Sequence, residues 1–284
     1  MGEYGIGQSV PREEDPYLVR GLGRYVDDVT VPGQLRGYVL RSPHGHAVIK
    51  SIDISAAKDM PGVQLILTGK DEAIMALGTQ RPLMPRKKRD GSPATGTPHY
   101  ALARDRVRFV GDEVAFVVAE TLNQAKDAAE AISVDYDILP SVVSIEDALT
   151  SDAPTLWPEY PGNIAFVGTL GDKAVTDAAF AKAAHVAKHR MVINRITTNT
   201  MEPRGSIAEY DTRDDRTTLR CTVQGPHTIR RFLANEVLKV PDNKVRVISE
   251  NVGGGFGMKG GLYNEYILSV AAARVLQHRP REKV

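Results

Sequence analysis

The sequence predicts an α+β protein with two domains, and three observations lead to this fold class. First, a chain of 284 residues exceeds the usual size of one domain. Second, residues 17–142 contain short alternating or apolar runs separated by glycine and proline, which is typical of strands. Third, residues 244–277 read as a strand, a glycine loop and a helix. The predicted division is a first domain at 1–142, a linker at 143–162 and a second domain at 163–284.

The first domain is predicted to be rich in β-structure behind a turn-rich N-terminal segment. Thr121 is followed three residues later by Gln124, a capping box that predicts a helix before the last strand. Residues 78–98 hold several prolines and glycines and a basic run from Arg86 to Arg89, so we expect a loop there. The predicted strands are 35–40, 48–54, 63–67, two strands within 107–120 joined at Gly111-Asp112, and 134–138.

The second domain is predicted to alternate helices and strands. Residues 217–224 alternate between an apolar and a polar face, and the polar face ends in Gln224, at an edge where α/β folds often bind ligands. If this strand is a parallel neighbour of the next one, Gln224 and the glycine loop face one crevice. The turn Met201-Glu202-Pro203-Arg204-Gly205 carries a possible ion pair. The predicted elements are helix 175–184, strand 186–194, strand 217–224, helix 229–240, strand 245–248 and a helix from Leu262 onward.

The glycine loop is the stretch with the clearest chemical use. Gly253, Gly254, Gly255 and Gly257 surround Phe256, and glycines let a ligand approach the main chain closely. The P-loop pattern is not met, because neither glycine nor serine or threonine stands in the required places around Lys259. A GxGxxG pattern is present at 255–260, but no acidic residue ends a second strand about 20 positions later. A simple tight turn and an independent nucleotide-binding domain therefore remain alternatives.

Composition excludes several classes of function. The net charge of +1 gives no electrostatic reason to bind nucleic acid or an anionic membrane. A single cysteine, Cys221, rules out a disulfide framework and an iron–sulfur cluster held by this chain's own cysteines. His44 and His46 have no carboxylate or cysteine at metal-ligand spacing, so no metal site is assigned. The N-terminus lacks the pattern of a signal peptide and no apolar run could span a membrane, so we expect a cytoplasmic protein.

Several separated motifs, in one order, resemble the large molybdopterin-binding subunit of the xanthine dehydrogenase, aldehyde oxidase and carbon monoxide dehydrogenase family. They are GLGRYVDD, RSPHGHAVI, YALARDRVRFVGDEVAFVVAE, AKDAAEAISVDYDILP, MEPRG, TVQGPHTIRRFLAN and VRVISENVGGGFGMK. The resemblance covers nearly the whole chain. It implies an α/β hammerhead domain up to about residue 142, followed by the first part of a mixed α/β molybdenum-cofactor-binding domain.

The resemblance implies a molybdenum hydroxylase, in which a molybdenum centre held by a pterin dithiolene supplies a carbon with oxygen from water. Gln224 matches the family glutamine that bonds an oxygen ligand of molybdenum, and Gly254, Gly255, Phe256 and Gly257 match the loop against the cofactor. The expected cofactor is molybdopterin in its cytosine dinucleotide form. The expected partners are an iron–sulfur (2Fe-2S) small subunit and an FAD-binding medium subunit. Gly260 stands where purine-oxidising members often have glutamate, which argues against xanthine as substrate.

The chain departs from the family in its length. Family subunits are much longer, and the part that carries the catalytic glutamate has no counterpart here, so no catalytic residue is assigned. The leading hypothesis is the N-terminal, cofactor-binding portion of such a subunit, from a shortened gene or a split subunit, which is active only with the missing part. If the subunit is split, that part is a C-terminal molybdopterin-binding polypeptide. The second is an inactive remnant or a subunit-docking module. The third is the independent nucleotide-binding domain. The substrate, an aldehyde, an N-heterocycle or carbon monoxide, is not specified by these residues.

Overall fold

The computed structural model describes residues 7, 9–80, 86–87, 91–94 and 96–278, which form a mixture of helices and strands, as the α+β prediction requires. The α-helices are α1 Asp15–Leu18, α2 Ser55–Lys58, α3 Glu72–Met75, α4 Leu122–Glu130, α5 Ile145–Ala148, α6 Lys173–Lys182, α7 Pro226–Arg231 and α8 Asn264–His278. The strands are β1 Arg36–Arg41, β2 Ala47–Asp53, β3 Val63–Thr68, β4 Arg86–Lys87, β5 Pro93–Ala94, β6 Arg106–Val107, β7 Glu113–Ala119, β8 Ser133–Ile138, β9 Ser206–Asp211, β10 Arg216–Cys221 and β11 Val245–Ile248. Short 3-10 turns lie at Val26–Asp28, Pro161–Asn163, Asp242–Lys244 and Met258–Gly260, and a π-helix at Phe232–Leu238.

The chain packs as two compact units. One contains Arg36–Asn199 and Glu236–Lys239, and we call it the central unit. The other contains Met1–Leu35, Thr200–Asn235 and Val240–Val284, and we call it the terminal unit. This grouping joins the N-terminal segment to the C-terminal residues. The division into 1–142, 143–162 and 163–284 stays a prediction.

The central unit is built on two antiparallel three-stranded sheets, in the orders β1-β7-β3 and β6-β2-β8. The short strands β4 and β5 form a separate antiparallel pair. Strand β7 is buried along its whole length. Its residues Ala115, Val117 and Ala119 pack in one apolar cluster with α4, whereas Val114 packs in a second cluster. Both faces of β7 are therefore covered, which explains its continuous apolar run.

Helix α4 begins where the capping box predicts. The Thr121 hydroxyl accepts a hydrogen bond from the Gln124 main-chain N–H at 3.3 Å, and the Gln124 side chain accepts one from the Thr121 N–H at 2.9 Å. These two bonds satisfy N–H groups that have no partner inside a helix. Ala125, Ala128 and Ala129 form the buried face of the helix.

The terminal unit holds a mixed sheet in the order β11-β10-β9. Strand β10 is antiparallel to β9 and parallel to β11. Leu219 and Cys221 of β10 and Val223 just beyond it are buried, as the alternation of the sequence predicts. Helix α8 packs against β9 and β10 through a nearly continuous apolar surface that includes Tyr266, Ile267 and Leu268. Strands β10 and β11 are parallel neighbours, which meets the condition under which Gln224 and the glycine loop lie at the same edge of the sheet.

Three predicted elements differ in the structure. Residues 186–194 form no strand, because no described segment pairs with them and they are exposed to solvent. The helix expected at 229–240 divides into α7 and the π-helix, which ends at Leu238 because the next residue, Lys239, has a φ of +55°. Helix α8 begins at Asn264 rather than at Leu262, because Gly261 is still extended. The basic run Arg86–Arg89 in the predicted loop 78–98 lies partly outside the described residues.

Candidate functional site

The predicted site residues lie at one edge of the sheet in the terminal unit. Strands β10 and β11 run parallel, with Thr217 opposite Val245 and Arg220 opposite Ile248, so their carboxyl ends meet. Gln224 follows the first strand and the glycine loop follows the second. A Cβ atom on Gly255 would lie only 2.6 Å from Cδ of Gln224, so the two residues are in contact. The structure therefore brings the predicted amide and the predicted loop together.

The backbone of the glycine loop turns through the left-handed region three times. Gly254 has a φ of +93°, Phe256 of +48° and Gly257 of +85°. A left-handed conformation is rare for a bulky residue such as phenylalanine, and such strain clusters at functional sites. The Phe256 ring is 78% exposed, so burial of its side chain does not account for the strained backbone.

The conformation of the loop leaves a row of hydrogen-bond donors without partners. Within the described part of the chain, the main-chain N–H groups of Gly255, Phe256 and Gly257 donate no hydrogen bond. The side-chain amide of Gln224 also has no hydrogen-bond partner among these residues and is exposed. Successive N–H groups in such turns form a concave site for an anion or an electron-rich oxygen. Four adjacent polar groups are thus available for a ligand.

Two of the loop glycines are needed for reasons of space rather than conformation. A Cβ atom on Gly253 would lie 2.5 Å from Cβ of Glu202, and one on Gly255 would overlap Gln224. By contrast, an added Cβ on Gly257 or Gly260 would meet nothing within 4 Å. The first two glycines therefore let neighbouring side chains pack against the loop, whereas the last two border open space.

A buried ion pair that sequence reasoning did not identify holds the loop from behind. Lys259 is fully buried, and its Nζ lies 2.8 Å from Oε2 of Glu202. The same carboxylate oxygen accepts a hydrogen bond from the Gly253 N–H at 2.7 Å. The Lys259 carbonyl in turn accepts one from the Gln224 N–H at 2.9 Å. Glu202 thus connects both ends of the loop, and Lys259 connects the loop to Gln224.

The ion pair that was expected within the turn 201–205 does not form there, because Glu202 pairs with a residue outside the turn. Glu202 pairs with Lys259, whereas Arg204 lies over the Tyr263 ring at 3.8 Å and is 3.7 Å from Glu265. The only sign of this ion pair in the sequence was a glutamate in one motif and a lysine at the end of another. Their pairing follows from the sheet that brings the two motifs together.

A second contact holds the start of the loop and comes from the N-terminal segment. The Asn251 side chain accepts a hydrogen bond from the Arg24 N–H at 2.8 Å and donates one to the Tyr17 hydroxyl at 2.7 Å. Glu250 contacts Arg220 and lies 3.7 Å from Arg24. The predicted irregular segment is thus a support for the strand that delivers the glycine loop.

The buried Cys221 and Tyr266 of the terminal unit offer no nucleophile at neutral pH. Burial raises the pKa of the Cys221 thiol to about 12, so it stays protonated at neutral pH. Burial likewise raises the pKa of Tyr266 to about 12, and its hydroxyl donates to the Thr222 carbonyl at 3.1 Å. Among the residues that the structure describes, no cluster of histidine, cysteine and acidic side chains could hold a metal ion. The polar groups that this edge of the sheet presents are thus main-chain N–H groups and an amide.

The geometry also weighs against the nucleotide-binding alternative. In that motif the helix opens within GxGxxG and points its N-terminus at the pyrophosphate. Here a 3-10 turn occupies Met258–Gly260, and α8 begins four residues after the last glycine of the motif, at Asn264.

Comparison with known proteins decides the family. Residues 20–140 match the aldehyde oxidase and xanthine dehydrogenase a/b hammerhead domain, and residues 156–281 match the molybdopterin cofactor-binding domain. The chain belongs to the molybdenum hydroxylase family. The predicted resemblance and fold class are thereby confirmed.

Individual molybdenum hydroxylases are similar to this chain over almost its whole length. The carbon monoxide dehydrogenase large chain of Afipia carboxidovorans is 38% identical over 96% of this chain and 34% of its own length. The nicotine 6-hydroxylase large subunit of Paenarthrobacter nicotinovorans is 35% identical over 96% of this chain and 32% of its own. The crystal structure of quinoline 2-oxidoreductase from Pseudomonas putida 86 matches with a TM-score of 0.83 and 34% identity, over 95% of this chain and 33% of that one.

The chain spans about a third of the length of these molybdenum hydroxylases. Their names indicate different substrates, so similarity to them does not select one. In the described part of the chain, no helix is both long and apolar enough to cross a membrane.

Proposed function

We propose that this chain is the molybdopterin-binding portion of a molybdenum hydroxylase and that it holds the cofactor at the glycine loop beside Gln224. The observation that carries the proposal is that the N–H groups of Gly255, Phe256 and Gly257 and the adjacent Gln224 amide make no hydrogen bond to any residue that the structure describes. These are four of the five positions at which the family resemblance expects contact with the cofactor, and Gly254 supplies the turn before them.

The residues fit a cofactor that brings its own metal ligands. A pterin dithiolene holds molybdenum through sulfur, so a site without histidine, cysteine or carboxylate ligands is suited to it. When bound, the cofactor supplies the redox chemistry that transfers oxygen from water to a carbon. The role of this chain is to hold and orient the cofactor. We assign the Gln224 amide to a hydrogen bond with an oxygen ligand of the metal, and the loop N–H groups to the electron-rich atoms beside it.

The complete activity is proposed to need more polypeptide than this chain. Because the catalytic glutamate of the family has no counterpart among residues 1–284, we expect the chain alone to be inactive. The proposed partners are a 2Fe-2S subunit and an FAD-binding subunit, together with a C-terminal molybdopterin-binding polypeptide if the large subunit is split. The proposed cofactor form is the cytosine dinucleotide, and the substrate class is an aldehyde, an N-heterocycle or carbon monoxide.

A second candidate function is that of an inactive docking module. The observation in its favour is that the central unit has its own packed core around β7 and α4, independent of the glycine loop. Such a module would bind an iron–sulfur or flavin subunit without any metal. Co-purification of such a subunit with a chain that contains no molybdenum would support it.

The test is cofactor retention by the Gln224→Ala variant. Both the variant and the parent chain are produced with a C-terminal polypeptide of the family in a host that makes molybdenum cofactor. Because Gln224 is exposed and its amide bonds to no described residue, its loss should leave the thermal unfolding unchanged. We expect the molybdenum and pterin content to fall at least about tenfold, the loss that follows from about 1.4 kcal/mol.

The matched control is Gln277→Ala, which removes another exposed glutamine at the end of α8. It should retain the parent content of molybdenum and pterin. Equal metal content in the parent and in Gln224→Ala would contradict the assigned role of the amide. Absence of molybdenum from all three proteins would favour the docking module.

A further inference from the structure

A cavity of about 620 Å³ lies within the central unit. Its lining includes none of the residues assigned above to the cofactor and none of those that support the glycine loop. Cavities of this size accommodate small organic molecules. Arg104, Arg106 and Arg108 are alternate residues around β6, and all three line it, so we call it the arginine cavity.

The guanidinium groups of the arginine cavity make no ion pair within the described part of the chain, where no carboxylate lies within ion-pair distance of them. Nε of Arg104 is buried and has no hydrogen-bond partner among these residues. Its terminal nitrogen reaches the Met75 carbonyl only at 3.4 Å. A buried polar atom without a partner costs free energy, so it marks a place where a ligand can supply the acceptor.

The other two arginines use only part of their hydrogen-bonding capacity. Nδ1 of His46 lies 2.8 Å from the Pro140 carbonyl, so this nitrogen donates and Nε2 accepts from Arg106 at 3.4 Å. Arg108 donates from Nε to the Leu156 carbonyl at 3.2 Å. A guanidinium group carries five N–H bonds, so most of the donors have no acceptor among the described residues.

Aromatic rings hold two of the guanidinium groups in place. Arg104 lies over the Tyr100 ring at 4.0 Å, and Arg108 lies over the Trp157 ring at 3.6 Å. Stacking on a ring fixes the plane of a guanidinium group while its edge can still donate hydrogen bonds. A planar fork held in this way matches two oxygen atoms of a carboxylate or a phosphate group.

The acidic side chains of the lining do not neutralise these arginines. Asp105 and Glu159 are exposed to solvent. Asp112 accepts a hydrogen bond from the Arg108 main-chain N–H at 3.0 Å, and burial raises the pKa of its carboxyl group. Burial and the nearby Arg106 lower the pKa of the Arg108 guanidinium group, as expected for a positive charge without a full counter-charge.

The cavity also has an apolar wall, to which Met75, Phe109 and Leu156 contribute. We propose that the arginine cavity binds an organic oxyanion, a small molecule that carries a phosphate or carboxylate group on an aromatic body. The oxyanion accepts hydrogen bonds from Arg104 and Arg108, and the aromatic body lies against the apolar wall. This site is additional to the proposed cofactor site and does not depend on it.

Isothermal titration calorimetry of the purified chain tests the site. Phenyl phosphate and benzoate carry the two candidate groups on the same ring, whereas inorganic phosphate, acetate and phenol each supply only one part. We expect one equivalent of an aromatic anion to bind with a Kd below about 1 mM and at least about tenfold more tightly than any of the three partial probes. The tighter of the two aromatic anions identifies the charged group. If neither binds, or if neither binds more tightly than the partial probes, the proposal is overturned.

Three variants and a control assign the bound anion to the cavity. Arg108→Lys keeps the charge but loses the planar fork, and Arg104→Gln removes a charge, so each should weaken binding at least about tenfold. Glu159→Gln removes a negative charge from the lining and should tighten binding roughly twofold or more. The matched control is Arg36→Gln, at an exposed arginine of β1 that does not line the cavity, and it should leave the Kd unchanged.

Thermal unfolding without ligand establishes that each variant is folded. Arginine variants that fold like the parent and bind the aromatic anion equally well would place the anion elsewhere and overturn the proposal. Unchanged binding by Glu159→Gln would overturn it even if an arginine variant did not fold, because Glu159 is exposed and its replacement should not disturb the structure.

The molybdenum content of Arg108→Lys, produced as in the cofactor test, separates this site from the proposed function. We expect weaker anion binding at the parent level of molybdenum. Loss of molybdenum together with anion binding would assign the cavity to the cofactor and overturn this proposal. Binding of the aromatic anion by a chain that retains no molybdenum would support the arginine cavity and contradict the cofactor site.

Discussion

Helices α4 and α6 have nearly the same length and similar N-terminal caps, yet one is packed and the other is not. Helix α4 has 9 residues and a Thr121 cap, and it buries Ala125, Ala128 and Ala129. Helix α6 has 10 residues and an Asp172 cap that accepts from the Val175 N–H at 3.0 Å, and it buries nothing. Local signals decide where a helix begins, whereas its contribution to stability depends on what covers it.

The same contrast between buried and exposed groups holds for ion pairs. Breaking the buried pair is expected to cause the largest loss of stability among the variants proposed here. The pair between Lys259 and Glu202 is buried, whereas Lys173 and Asp177 on α6 are 83% and 62% exposed. Glu202→Ala leaves a buried ammonium group without its partner, so we expect the free energy of unfolding to fall by about 3–5 kcal/mol. Chemical denaturation of the purified chain measures this change.

Two variants isolate the cause. Asp177→Ala breaks the exposed pair and should leave the denaturation midpoint unchanged. Glu202→Gln keeps an acceptor for the Gly253 N–H but removes the charge, so its loss of stability should be smaller than that of Glu202→Ala. If Glu202→Ala and Asp177→Ala had equal effects, the buried pair would not hold the loop.

Core packing provides the next test of the contrast. Ala128 of α4 is completely buried against β7, and a larger side chain there must displace its neighbours. We expect Ala128→Leu to lower the free energy of unfolding by about 1–3 kcal/mol. Ala178→Leu makes the same change on α6, where all residues are exposed, and should alter it by less than about 0.5 kcal/mol. A comparable loss in both variants would mean that α6 is packed.

The part of the fold that sequence predicts is the part whose causes are local. The capping box at Thr121, the alternation in β10 and the continuous run of β7 each follow from neighbouring residues. The strand predicted over 186–194 shows the limit of prediction from local sequence. The residues of a segment indicate that it could form a strand but not whether another strand is present to pair with it.

The candidate site divides in the same way. Gln224 and the glycine loop were identifiable because each ends a predicted strand, although contact of these residues with a cofactor stays a prediction. Glu202 was not identifiable as a support of the loop, because its partner Lys259 is 57 positions away. Asn251 and Tyr17 are separated by 234 positions, so their hydrogen bond follows only from the fold. The closeness of Gly255 to Gln224 likewise shows that a glycine expected to admit a ligand also admits a side chain of its own chain.

The smallest expected effect comes from removing the two helix caps. Thr121→Ala should lower the free energy of unfolding by about 1 kcal/mol, since α4 is part of the core and its cap is lost only when the core unfolds. Asp172→Ala should leave global unfolding unchanged and instead increase amide exchange within 173–182, because a helix of this length without tertiary contacts is marginally stable and frays by itself. Equal amide exchange in the free parent and in Asp172→Ala would show that α6 does not depend on its cap.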